Sequence, residues 1–193
     1  MTTIPGWNIL LWNFDGGIVG SRVYAEYILM GALMSGEAHG YDIMQFLKNA
    51  LGSAFHLATS QMYVLLKRLE NDGLIVSSVE LQDTLPSRRV FSLTNEGQKI
   101  FLEWIKSPVE HVRDLRIEFP ARIYFIHRLS LRGGESLIRS QVRTLKKIKD
   151  KISRQQSEEK DPFIRLVFGQ KIAMIDSWIK WINHDVVSFI LKT

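Results

Sequence analysis

The chain has 193 residues, 46% of them hydrophobic and 23% charged, and it contains no cysteine. That composition excludes a disordered chain, a disulfide scaffold and every metal or nucleophilic site that needs a thiolate. The formal charge of +5 permits a polyanionic partner without requiring one.

The charge is unevenly placed. Residues 1–107 carry 8 basic and 10 acidic side chains, whereas residues 108–193 carry 17 and 10. If the first half binds a polyanion, local placement must do it. No stretch approaches the ~20 apolar residues of a membrane span. The longest candidate, Tyr27 to Met34, has eight. No basic residue precedes Arg22 and the run Ile9–Trp12 is too short for a secretory signal, so the expected location is cytoplasmic, with no membrane partner.

Residues 1–21 hold Trp7, Ile9, Leu10, Leu11, Trp12 and Phe14, then Gly16, Gly17 and Gly20, and read as an extension that covers an apolar groove. Tyr24 to Met34 reads as a short helix, apolar on most faces and therefore buried. A second helix is expected from about Gly40 to Leu51, with Tyr41, Ile43, Met44 and Leu47 as its inner face and Gly52 as its stop. A third runs from Thr59 to Asp72. Its Met62, Leu65, Leu66 and Leu69 fall at i, i+3, i+4 and i+7, one buried stripe, and Gly73 stands where a helix ends in a left-handed residue.

The period then changes to two. Leu74 to Glu80 and Arg88 to Leu93 are β-branched or aromatic runs joined by a seven-residue loop with Asp83 and Pro86, hence a hairpin. Thr94 or Asn95 caps a fourth helix that carries Ile100, Phe101 and Trp104 and ends before Pro108. Everything beyond reads as helical. Leu115 to Leu131 forms one helix with Pro120 in its first turn or kinking it. Ser136 to about Lys160 forms the next, with Ile138, Val142, Leu145, Ile148 and Ile152 as a coiled-coil seam. Asp161 and Pro162 start a last helix to about Leu191, with Ile175, Trp178, Ile182, Val186 and Phe189 as its stripe.

Three helices followed by a two-stranded hairpin is the order of a winged helix-turn-helix, whose third helix enters the DNA major groove while the hairpin lies along phosphates. The fold expected is mainly α with a small β-hairpin wing. A C-terminal antiparallel coiled-coil-type helical dimerisation domain completes it. The boundaries fall at 22–107 for the DNA-binding domain and 108–193 for the dimerisation domain. With the apolar stripe of the third helix buried, its other face holds Thr59, Ser60, Gln61, Tyr63, Val64, Lys67 and Arg68. Short hydroxyl and amide groups at a helix start suit base edges, and cations toward its end suit phosphates. Arg88 and Arg89 add two cations on the hairpin.

Residues 22–107 resemble the PadR family of bacterial transcriptional regulators. His39-Gly-Tyr-Asp-Ile43 is similar to that family's second-helix signature. Ser60 to Ile75 is similar to its recognition helix running into the wing. Pro86 to Gly97 is similar to its second wing strand leading to Leu-Thr-x-x-Gly, with Val90 and Phe91 where two tyrosines are usual. Trp104 to Pro108, Val112 to Asp114 and Trp178 to Trp181 resemble the branch typified by a virulence-gene activator, in which a long helical C-terminal domain forms the dimer.

The resemblance implies a homodimeric, sequence-specific DNA-binding regulator without cofactor, most simply a repressor on a partly palindromic double-stranded operator. Activation by the same route, or a winged-helix module that binds protein instead of DNA, are the alternatives. Trp178 and Trp181 are weak candidates for a site for a small aromatic effector, and aromatics at helical spacing are more often core. The basic run Lys146, Lys147, Lys149 and Lys151 reads as a solvated outer face, and His39 as a packing or capping residue. The five histidines lack metal-ligand spacing, and no catalytic or nucleotide motif appears, so no enzyme is expected.

Overall fold

The computed structural model describes residues 19–51, 55, 57–80 and 88–191, with side chains from residue 24 onward. The N-terminal extension, Gly52 and the hairpin loop with Asp83 and Pro86 lie outside the described residues. Helices α1 (Val19–Leu33), α2 (Gly40–Ala50) and α3 (Thr59–Asn71) precede strands β2 (Ile75–Glu80) and β3 (Arg88–Leu93) and helix α4 (Asn95–Lys106). A two-residue strand, β1 (Ala38–His39), enters ahead of α2. It pairs antiparallel with β3, Ala38 opposite Phe91 and His39 opposite Val90, so the sheet has three strands in the order β1-β3-β2. A two-residue strand is too short to show a period, and the hairpin alone was legible.

Helices α5 (Leu115–Arg128), α6 (Gly134–Glu158) and α7 (Pro162–Trp181) follow, then a π-helical turn (Ile182–Val186) and α8 (Val187–Leu191). Pro120 lies inside α5, past its first turn, where it has no N–H to give the helix ladder. Asp161 caps α7 as its sequence position suggests: its Oδ1 accepts from the Phe163 and Ile164 N–H groups at 2.7 and 3.3 Å.

α1 is the hub. Its Ile28, Leu29, Met30 and Leu33 are buried, and it packs on α2, α3, α4 and α5. Gly31 permits the tightest of these approaches, because a Cβ there would overlap the Phe125 ring of α5. That ring is itself buried and meets Phe101 of α4 edge-on at 5.4 Å. Alongside, the Arg122 guanidinium of α5 is buried over the Trp104 ring at 4.7 Å, and Trp104 stacks on Tyr27 of α1 at 4.8 Å. Arg122 Nη2 donates to Glu118 Oε2 at 3.0 Å, while its Nε and Nη1 find no partner among the described residues. Burial raises the Glu118 carboxyl above its ordinary range and lowers the guanidinium, each effect offset in part by the charge of the other.

Two further side chains fix the frame. Gln141 of α6 is fully buried; its Oε1 accepts from Val109 N–H at 2.6 Å and its Nε2 donates to Val109 C=O at 3.0 Å. At the far end, α6 and α7 pair antiparallel, tied by Lys149 to both oxygens of Asp176 at 2.6 and 2.8 Å.

In an open helix, alanine for glycine is worth about 0.5–1 kcal/mol in favour of folding. At Gly31 the sign reverses, since the ring it meets is rigid and enclosed. Gly31→Ala is expected to lower stability by about 1–3 kcal/mol in urea unfolding; a gain would show that Phe125 has room to move.

Candidate nucleic-acid interface

The two ends of α3 explain its position. At the start, the Gln61 side chain reaches back, its Oε1 accepting from Ala58 N–H at 3.4 Å. At the end, Gly73 takes φ +71°, Leu74 N–H reaches Leu69 C=O at 2.9 Å and Gly73 N–H reaches Glu70 C=O at 3.1 Å. This is the Schellman closure, and it turns the chain straight into β2. Met62, Leu65, Leu66 and Leu69 are buried as their spacing requires, while Thr59, Ser60, Gln61, Tyr63, Lys67 and Arg68 are all exposed.

The wing is fastened to that helix end. Thr94 N–H donates to Leu74 C=O at 3.1 Å, and its Oγ1 donates toward the Gly73 and Leu74 carbonyls at 2.9 and 3.0 Å. The same hydroxyl accepts from Gly97 N–H at 3.1 Å, capping α4. Gly97 lies directly against the Leu74 carbonyl, where any Cβ would collide with backbone. One threonine and one glycine thus join the end of α3, both strands and the start of α4.

The four cations differ in their freedom. Arg89 is held: its Nη2 lies 3.2 and 3.1 Å from the Glu70 oxygens and its Nε donates to Ser77 Oγ at 2.8 Å. Ser77 Oγ in turn donates to Glu70 at 2.5 Å. Arg68 is half exposed but shares its Nε between Glu26 at 3.4 Å and Asp72 at 3.8 Å. Burial raises the Glu26 carboxyl, and Arg68 opposes that shift. Lys67 and Arg88 are exposed and form no ion pair among the described residues. They are the charges available to a partner.

A concave surface opens between the start of α2, the face of α3 and β3, lined by His39, Gly40, Tyr41, Asp42, Tyr63, Arg88 and Arg89. Gly40 is needed here because the Tyr63 phenol rests on it; a Cβ would overlap the hydroxyl and the ring. Tyr41 was expected on the inner face of α2 but is 70% exposed, its hydroxyl accepting from Gln45 at 2.8 Å. An aromatic residue counts as apolar in a periodicity, yet its phenol is satisfied facing outward. His39 does not cap α2 with its side chain; its Nε2 stands 3.7 Å from Glu80 at the end of β2. Among the described residues no group of three or more metal-ligating side chains occurs, and no helix is long and apolar enough to cross a membrane.

The family model of the PadR-like transcriptional regulators matches residues 29–103, from the end of α1 into α4 and including the whole sheet. Over these residues, fewer than half of the chain, the sequence is similar to that family. The negative transcriptional regulator PadR of Bacillus subtilis is 33% identical over 120 residues, covering 61% of this chain and 64% of that relative. Among solved structures, Bacillus subtilis PadR in complex with operator DNA is similar at 25% identity and a TM-score of 0.42, over 86% of this chain and 98% of that one. A PadR-like transcription factor from Bacteroides fragilis is similar at 28% identity and a TM-score of 0.42, over 46% and 84%. The likeness is carried by the sequence matches.

Beyond the PadR-like domain, the helical stripes close within one chain. Ile138, Leu145, Ile175, Ile182 and Val186 are buried, and Val142, Ile148, Ile152 and Trp178 are half-buried against the same core. Within the chain these residues pack α6 against α7, the π turn and α8. Phe189 falls out of the stripe, 46% exposed and against the His127 ring at 4.6 Å, because the π turn adds a residue to the helix and shifts its phase. Trp178 and Trp181 meet edge-on at 5.5 Å, and Phe119 takes Trp181 edge-on at 6.1 Å.

The contact of Gly40 with Tyr63 is directly testable. In a double-mutant cycle, Gly40→Ala and Tyr63→Ala should couple by about 0.5–3 kcal/mol, the alanine at 40 costing less once the ring is gone. Additive losses in thermal unfolding would show that the two do not touch.

Proposed function

We propose that this PadR-like protein is a homodimeric regulator that reads double-stranded operator DNA through α3 and presses its wing on the backbone. The observation that carries the reading is the exposed face of α3. Small polar groups lie at its start and Lys67 at its end, beside Arg88 on β3, neither cation in an ion pair among the described residues. Ser60 and Gln61 would meet base edges, and Tyr63, Lys67 and Arg88 the phosphates. Arg68 and Arg89 would serve mainly as supports, since their charge is already answered by Glu26, Asp72 and Glu70. The Bacillus subtilis relative is named a negative regulator, which favours repression by occupying a promoter.

For the dimer, the surface left over is the outer side of α7. Phe163, Leu166 and Met174 share one face and are 63, 69 and 44% exposed. Large apolar side chains grouped in this way mark a contact surface. With the seam residues Ile138, Leu145, Ile175, Ile182 and Val186 filling the interior of the subunit, this face would carry the contact to a second copy. Two α3 helices would then enter successive major grooves about 34 Å apart, giving a partly palindromic operator. A small aromatic effector would act by changing that separation; Trp178 and Trp181 already pack edge-on against one another and would have to part to admit it between them.

The charge pattern permits a specific test. Binding to a duplex selected from a random-sequence library by the full chain should weaken with salt at a slope of about −0.9 per phosphate neutralised. Arg88→Ala and Lys67→Ala should each flatten the slope by about 1 per subunit and weaken all sequences alike, whereas Gln61→Ala should alter the preferred sequence. No binding at low salt by the folded protein would leave the winged-helix interaction module as the reading. Phe163→Glu with Leu166→Glu should convert the dimer to a folded monomer in sedimentation velocity; an unchanged mass would place the contact elsewhere.

A further inference from the structure

The exposed face of α3 contains one residue that its polar surroundings do not explain. Ser60, Gln61, Val64, Lys67 and Arg68 fall at i, i+1, i+4, i+7 and i+8, a single stripe with Val64 at its centre. Val64 is 68% exposed and lies outside the hydrophobic cluster, although Leu65 and Leu66 beside it are buried. Valine there does nothing for the helix, since a β-branched side chain is a weaker helix former than the lysine or glutamine that would solubilise the position. Among the described residues it also has no place in the hydrophobic core that would account for an apolar choice. What an exposed isopropyl group in the middle of a reading helix can do is meet an apolar group on DNA. The major groove offers only one, the 5-methyl of a pyrimidine.

We infer that Val64 is a specificity-determining residue that reads the 5-methyl group of a thymine in the operator. This deepens the proposed function and rests on α3 being the reading helix. The placement favours it: Gln61 one turn earlier can bond a neighbouring base edge, while Lys67 one turn later fixes the helix on the backbone. The valine is thus held at groove depth between a polar reader and its anchor. The neighbouring apolar residue on that side, Tyr63, is engaged with Gly40 and is not free to take the role.

Thymine and uracil differ by this methyl alone, which isolates the contact. The full chain is first used to select its preferred duplex from a random-sequence library, and deoxyuridine is then substituted for each thymidine of that duplex in turn. The wild-type protein should lose affinity about four-fold at one thymine of each half-site, the worth of one buried methyl group, and should be indifferent elsewhere. Val64→Ser, which leaves a solvent-facing position folded, should bind thymine and uracil duplexes equally there while keeping its response to salt. Indifference of the wild-type protein to every uracil, a half-site without thymine, or a thymine preference that survives Val64→Ser would overturn the assignment and leave DNA reading intact. Failure of the library to yield any enriched duplex would overturn both.

Discussion

The junction at Thr94 is the contact on which the geometry between α3 and the wing depends. A helix that enters a groove and a hairpin that lies along the backbone must keep a fixed offset, and two strands alone would twist relative to α3. Thr94 removes that freedom by bonding both carbonyls that follow the helix, Gly73 and Leu74, and by capping α4 with the same oxygen. The positive φ of Gly73 makes the turn possible, and Gly97 allows α4 to come within backbone contact of Leu74. Each of the three residues meets a separate requirement at one point: left-handed backbone, a bifunctional hydroxyl and the absence of a side chain.

The face proposed to meet a polyanion lies in a half of the chain whose summed charge is negative. Acids are not excluded from the region, and three beside the α3 and wing cations are paired off. Glu70 takes Arg89 and Ser77, and Glu26 with Asp72 takes Arg68. These pairs lie in or near solvent, where each contributes little to stability. Their stronger effect is positional, holding the wing strand against α3 and leaving Lys67 and Arg88 without an ion pair among the described residues. The buried pair of Arg122 and Glu118 differs. Removed from water, it is costly to break from either side, and it ties α5 to the aromatic stack of Tyr27 and Trp104.

Much of this was legible in the sequence wherever one residue's neighbours along the chain decide its environment. The stripe of Met62, Leu65, Leu66 and Leu69 dictates the exposed face of α3, and Thr94, Asp161 and Gly73 mark their helix ends through local bonds. What was hidden depends on partners distant in sequence. Glu70 meets Arg89 nineteen residues on, so the restraint on that arginine has no local signal. β1 exists only because β3 offers it an edge. The stripes on α6 and α7 showed which side of each helix is apolar; they could not show whether the cover is a second subunit or the same chain folded back.

Gln141 has a mechanical consequence. Chain segments that connect a reading head to a body of helices are commonly hinges, since an extended stretch with free backbone groups pivots at little cost. Here the amide of Gln141 makes both hydrogen bonds of Val109, as a neighbouring strand would, inside a sealed core. The stretch after α4 is therefore welded to α6. A turn or tilt of the C-terminal helices would be transmitted to α4, and through Thr94 to α3 and the wing, as by a lever without play. Slack between an event at the helical body and the spacing of the reading helices would have to come from the far ends of α6 and α7, where the pair extends beyond the core.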